Sequence, residues 1–250
     1  LAVLVPHLAV LVPHLAVAPV AGASLPTATW RALHVDGALL VVDKGAGLLT
    51  VPGIGEAKAD CLLSRLADAG HPEVGHAAHR LDRDTSGVLA LGRTPAAHRS
   101  LCVQFQERRA SKRYEALVLG WPAEDVGEVD LPIGKVRRPG GAARMRVAGG
   151  AAGAEQARPS VSTWRVLERT SLPDSGVGVA RVELVPVTGR AHQLRLHMEA
   201  IGHPVLGDEL HGSDEAAAAA PRLCLHASAL TLDHPDGRSG RVTFRSAAPF

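Results

Sequence analysis

The chain has 250 residues, a formal net charge of +2, 46% hydrophobic residues and 3% aromatics. That length buries a substantial core, and the near balance of charge gives no argument by itself for a nucleic-acid partner. Cys61, Cys102 and Cys224 form no CxxC pair and cannot all pair within one chain, which speaks against a disulfide scaffold and for free thiols in a reducing cytoplasm.

Residues 1–24 run LAVLVPH twice and then LAVAPV. Pro6, Pro13 and Pro19 break the apolar run and no charged segment precedes it. A signal peptide, membrane helix or coiled coil is therefore not expected, and 1–24 reads as a disordered or artefactual tail ahead of one domain over 25–250. Residues 38–43 (ALLVVD) read as a buried strand ended by Lys44-Gly45-Ala46-Gly47. Over 56–69, Cys61, Leu62, Leu66 and Ala69 recur at helical spacing. Residues 76–82 read as a strand or extended segment entering a charged turn, with 87–92 as its return strand. Pro95 suits the first turn of a helix over 95–109, where Leu101 and Phe105 lie one turn apart. Strands are expected at 112–120, 128–134, 161–168 and 177–187, and a loop with a hairpin tip at 138–158. Ala191, Leu194, Met198 and Ile201 mark one face of a helix over 190–201, capped by Gly202. An alanine run at 216–220 reads as helical, and 226–232 and 241–245 as closing strands. About ten strands, often consecutive, with three or four helices predict an α+β fold: a mixed, mostly antiparallel sheet flanked by helices and loops.

The densest chemistry lies at residues 79–87, His-Arg-Leu-Asp-Arg-Asp-Thr-Ser-Gly, immediately before the apolar run 88–91. Ions beside a core must be paired or change protonation, and such clusters mark sites that react or bind charged ligands. Asp84-Thr85-Ser86-Gly87 is good turn chemistry, so Asp82 is the better candidate for a carboxylate at the edge of a cleft. As a nucleophile or general base it needs a nearby cation, for which Arg80, Arg83, Arg190 and Arg195 are candidates. Residues 188–197, TGRAHQLRLH, form a second dense polar run. Two basic groups follow: Arg99, Arg108, Arg109, Lys112 and Arg113, then Lys135, Arg137, Arg138, Arg144 and Arg146. Either is a solvated surface or a track for a phosphate backbone. The chain has no GxGxxG after a strand, no GxxxxGK[ST], no HExxH and no GxSxG, and His76/His79 and His192/His197 lack completing ligands at zinc spacing. No cofactor and no metal are expected. From the residues alone, a carboxylate hydrolase using Asp82 and Asp84 is an open reading.

HRLDRDTSG, then KRYEALVLG, then GRAHQLRLHMEAIGHPVLGD resemble, in order, the three motifs of the RluA family of pseudouridine synthases. DKGAGLLTVPG, VDLPIG and LHASALTLDHP fit as well, so the resemblance covers about residues 30–250. Gly45 departs from the family's proline after Lys44, and the N-terminal repeat has no counterpart. The resemblance implies that family's catalytic fold around a central cleft and isomerisation of uridine in RNA. Asp82 would be the catalytic aspartate, as nucleophile or base at the sugar, with Arg195 as its ion-pair partner and Tyr114 packing on the target base. Leu194 would line the base pocket and Arg80 would fill the space left by the flipped nucleotide. His79, Arg190 and Gln193 join the substrate-binding set. The implied partner is RNA, large-subunit rRNA and/or a tRNA anticodon stem-loop; no membrane is involved, and a cytoplasmic monomer is expected. A non-catalytic RNA-binding protein on the same scaffold is the alternative that would have lost the Asp, Tyr or Arg.

Overall fold

Strand β1 (Trp30–Val35) and strand β2 (Leu39–Lys44) form a hairpin at the edge of a nine-stranded sheet in this computed structural model, which describes residues 29–136, 144–148, 155–172 and 176–250. After helix α1 (Leu62–Asp68), strand β3 (Ser86–Gly92) pairs with β2, and helix α2 (Pro95–Gln106) leads into β4 (Ser111–Leu119). The chain continues through β5 (Val126–Asp130), β6 (Ile133–Val136), β7 (Arg144–Val147), β8 (Glu155–Arg158), β9 (Val161–Ser171) and β10 (Gly178–Pro186). Helices α3 (Gln193–Ala200) and α4 (Asp214–Ala218) and strands β11 (Leu225–Asp233) and β12 (Arg241–Arg245) complete it. The large sheet runs β1-β2-β3-β11-β4-β10-β9-β5, with β12 on β11; a second sheet is β7-β6-β8. Among the described residues only β3 and β11 pair in parallel, so the fold is α+β with a mixed, mostly antiparallel sheet, as expected.

The apolar run of β2 has no alternation because both its faces are covered. Leu40 and Val42 pack with Leu89 and Leu91 of β3 against Leu62 and Leu66 of α1, while Leu39 and Val41 face Leu101 of α2 from the other side. Thr94 caps α2 by accepting from the Ala97 N–H, and Pro95 stands in its first turn. Farther along, Ala116 and Val118 of β4 and Ala180, Val182 and Leu184 of β10 enclose Leu194 and Met198 of α3. Residues Gln193 to Met198 of α3 are all buried. Their polar members therefore need partners: His197 Nδ1 lies 3.0 Å from Ser162 Oγ and its Nε2 3.1 Å from the Leu131 carbonyl.

Several elements differ from expectation. Strand β1 has no sequence counterpart above, because as an edge strand it is buried on neither face throughout. Residues 76–82 form no strand: they join no ladder, and 78–79 make a bend. The stretch 128–134 divides at Leu131-Pro132 into β5 and β6, which belong to different sheets. The supposed loop 138–158 contains β7 and β8, both paired with β6. Residues 1–24, with their expected disorder, lie outside the described residues. Among those described, no helix is long and apolar enough to cross a membrane.

Candidate active site

Asp82 sits on the connection between α1 and β3, and its backbone is fastened on both sides. The Thr50 hydroxyl donates to the Leu81 carbonyl at 2.8 Å and accepts from the Leu81 N–H at 3.2 Å. On the other side, the fully buried Lys44 ammonium donates to the carbonyls of Arg83 (3.1 Å), Gly45 (2.8 Å) and Leu48 (2.8 Å). The Thr85 N–H closes the turn onto the Asp82 carbonyl at 3.3 Å. Burial pushes the Lys44 amine down to about 7, against the charges of Asp84 and Asp82, which favour its cationic form. The sequence DKGAGLLT thus supplies two hooks, Lys44 and Thr50, for the segment carrying Asp82. Asp84 turns away, its carboxylate paired with Arg83 Nε at 2.9 Å on the surface.

The cleft beside Asp82 measures about 830 Å³, and all eight predicted site residues line it: His79, Arg80, Asp82, Tyr114, Arg190, Gln193, Leu194 and Arg195. Asp82 is the one carboxylate among the described residues that line it, whereas Arg80, Arg108, Lys112, Arg190 and Arg195 contribute cations. Tyr114 comes from β4 and packs against both core clusters that meet there; burial and the Asp82 charge push its phenol up. The His79 ring stacks on Phe105 with 4.1 Å between centroids and accepts the Ala90 N–H at 3.1 Å. Burial, with Lys112 nearby, drives its pKa down to about 3, so the ring is neutral and serves as a fixed wall.

Three expectations require correction. Arg195 does not ion-pair with Asp82 in this structure. Its fork engages buried Asp208, Nε to Oδ2 at 2.7 Å and Nη2 to Oδ1 at 2.5 Å, and Oδ1 also accepts the N–H groups of Leu210 and His211 at 3.0 Å each. Burial would raise the Asp208 carboxyl, but Arg195 and these N–H donors hold it below the ordinary carboxylate range. Gln193 has no amide group left for RNA. Its Oε1 accepts from Thr188 Oγ1 (2.7 Å) and the Arg190 N–H (3.0 Å), and its Nε2 donates to Val161 O (2.9 Å) and Ser162 Oγ (2.8 Å). The first basic group is also divided: Arg109 is paired with Glu107 and Asp233 and Arg113 with Glu183, leaving Arg108 and Lys112 for the cleft. In the second group Arg137 and Arg138 lie outside the described residues.

His192 was considered above only as a metal ligand, and its real position is more informative. It has a left-handed backbone, φ 58°, and its Nδ1 lies 2.7 Å from His211 Nε2. Burial lowers its pKa first; Asp82 and Asp208 act to raise it, Arg195 and Arg80 to lower it. The ring therefore stands within the electrostatic reach of both Asp82 and the Arg195–Asp208 pair. Asp208 lies in the stretch GHPVLGD, 13 residues beyond Arg195, and nothing in the sequence singles it out from a loop aspartate.

A model of the family described as RNA pseudouridylate synthase matches residues 38–200. The chain belongs to that family. It is 40% identical over 228 residues to the dual-specificity RNA pseudouridine synthase RluA of Escherichia coli, covering 90% of this chain and 96% of the relative. Identity to the enzyme of the same description from Haemophilus influenzae is 42% over 206 residues, covering 81% and 86% of the two chains. Among solved structures, human RNA pseudouridylate synthase domain containing 1 superposes with a TM-score of 0.74 at 32% identity, covering 89% of this chain and 84% of that one. The protein is an RNA pseudouridine synthase, an isomerase that converts uridine to pseudouridine.

Proposed function

We propose that this synthase draws a uridine out of a structured RNA into the cleft and isomerises it with Asp82 as the catalytic aspartate. What supports the reading is that Asp82 is the lone carboxylate lining a cationic cleft among the described residues, on a backbone tied at both neighbouring peptides. A two-carboxylate hydrolase needs a second acid facing the first. Asp84, the candidate, is bound to Arg83 outside the cleft.

The reaction breaks N1–C1′ and forms C5–C1′; C5 releases a proton, N1 gains one, and no electrons are exchanged. Asp82 acts at the sugar, either attacking C1′ or taking the proton from C2′. Tyr114 and Leu194 pack on the base. Unstacking the nucleotide costs a few kcal/mol, and an aromatic face together with Arg80 in the vacated space offsets it. Arg190, Arg108 and Lys112 neutralise phosphates around the flipped residue. Arg195, held by Asp208, presents its charge to the cleft that Asp82 lines, and His79 and Gln193 hold the walls. By likeness to the dual-specificity relatives, we assign as substrates a uridine in large-subunit rRNA and one in a tRNA anticodon stem-loop. The catalytic unit spans 25–250 and works as a monomer in the cytoplasm.

Asp82→Asn is expected to abolish tritium release from C5-labelled RNA while RNA affinity stays within a few-fold of the parent. Turnover by that variant removes Asp82 from the mechanism, and the non-catalytic reading predicts no release from the parent either. Pseudouridine mapping of total RNA from a deletion strain is expected to show loss at one rRNA and one tRNA position. Loss in a single RNA class reduces the assignment to that class.

A further inference from the structure

We infer that His34, Asp36 and His234 form a binding site for a divalent transition-metal ion, remote from the cleft, that clips the β1–β2 turn to the β11–β12 hairpin. His34 Nε2 and His234 Nε2 converge on the same oxygen, Asp36 Oδ2, at 2.7 and 2.9 Å, and the three ligand atoms lie within 4.8 Å of one another. Two imidazoles and one carboxylate are a donor set suited to zinc and its neighbours rather than to magnesium or calcium. Each donor is held in place. Asp36 Oδ1 is occupied by the N–H groups of Ala38 and Leu39 at 2.7 Å each, so Oδ2 is the oxygen left to bind. The β1–β2 ladder shifts register between Ala32 and His34, the kind of irregularity that re-aims a side chain, and the His34 ring rests 5.3 Å from Phe244.

The buried His234 has the outer partner that a metal-binding imidazole requires. Its Nδ1 lies 2.9 Å from Asp236 Oδ1, and that carboxylate is itself pinned by the Arg238 and Ser239 N–H groups and the Ser239 hydroxyl. The Asp236 N–H also points at Nδ1, at 3.3 Å, so Asp236 fixes the ring through its backbone and its carboxylate with Nε2 turned toward Asp36. Two carboxylates and two imidazoles complement a 2+ ion, and the nearby Arg93, which donates to the Asp36 carbonyl, is already paired with Glu73. A zinc ion about 2.0–2.1 Å from each ligand separates them by roughly 3.3 Å, so Asp36 must retreat by about half an ångström. His34 and Asp36 are partly exposed, which leaves an entry path and a place for water as the fourth ligand. None of these residues lines the catalytic cleft.

The test is titration of the untagged full chain with Zn²⁺ by calorimetry, with thermal unfolding measured in parallel. One Zn²⁺ per chain and a raised unfolding midpoint are expected. The partly exposed His34→Gln variant should lose at least about tenfold in affinity, and so should Asp236→Asn, which keeps every direct ligand. Both should unfold near the parent's midpoint without metal while losing the zinc-induced rise. No binding by the parent overturns the site. Undiminished affinity in His34→Gln also overturns it, since the ion is then held elsewhere.

Discussion

Asp82 is controlled from its backbone, and Arg195 from its partner. The hooks on Asp82, Lys44 and Thr50, act on its backbone and leave its carboxylate on the cleft wall, whereas the Arg195 head is committed to Asp208 by a two-point fork. A lysine at 195 offers a point charge and cannot span both carboxylate oxygens. Arg195→Lys is therefore expected to lose at least about tenfold in kcat, one lost charge-assisted hydrogen bond's worth of positioning. Asp208→Ala, which strands a buried guanidinium, should cost about 3–5 kcal/mol of stability in denaturant unfolding. If Arg195→Lys turns over like the parent, the fork on Asp208 is irrelevant to catalysis. The residues carrying Asp82 and Tyr114 were legible because each lies in a contiguous motif. The Arg195–Asp208 pair was not, because the residue 13 positions on reads as an ordinary loop aspartate until the fold buries it. Lys44 was likewise invisible as a hook: its ammonium reaches across 39 positions to Arg83.

At the scale of elements, the glycine ending HRLDRDTSG has a job that a turn reading misses. Gly87 already lies in β3, where β3 meets β11 in the sheet's parallel step, with φ +116°. A Cβ there would fall 2.3 Å from the Ala227 carbonyl oxygen. The backbone conformation alone costs a non-glycine residue about 1–3 kcal/mol, and the steric clash with β11 adds to it. Gly87→Ala should therefore lower the unfolding midpoint by well over 5 °C and reduce turnover by displacing the Asp82 turn; an unchanged midpoint would mean that β3 and β11 can separate at that step without penalty. Long apolar or strongly periodic elements, β2, β3, α2, β10 and α3, were readable because burial on one or both faces leaves a direct imprint on composition. β1, β7 and β8 were not: they are edge or small-sheet strands that little apolar burial marks, and glycine, alanine and arginine between 138 and 158 resemble a loop.

Across the whole molecule, charge and burial are sorted by location. Several outward cations are paired with acids, as Arg109, Arg113, Arg165 and Arg169 are, so a net charge of +2 still leaves a cationic cleft. Several histidines are sorted in the opposite sense, with burial favouring the neutral ring, as at His79, His211 and His226. Burial depresses both His211 and His226 to about 4. His211 meets His192 nitrogen to nitrogen at 2.7 Å, a contact that needs one N–H and one lone pair and fails if both rings are charged. His226 lies between Ser86 Oγ and the Ser246 carbonyl. The sign of the consequence follows from linkage. Between the unfolded value of 6.5 and the folded value near 4, the unfolded chain binds protons that the folded chain refuses, so stability falls as pH falls through that window. Each histidine contributes up to about 1.4 kcal/mol per pH unit there. The carboxylates held low by their partners, Asp208 and Asp36 among them, lose their contribution only at more acid pH. Denaturant unfolding should therefore show stability declining as pH falls from 8 to 7, where the unfolded chain keeps the Lys44 proton that burial makes the fold give up, and declining further from 6.5 to 4.5, with that second decline shallower in His226→Gln, which keeps polar contacts without titrating. A flat profile across 6.5 to 4.5 would mean that these histidines take up protons inside the fold as easily as in the unfolded chain, and that the His192–His211 contact opens to admit them.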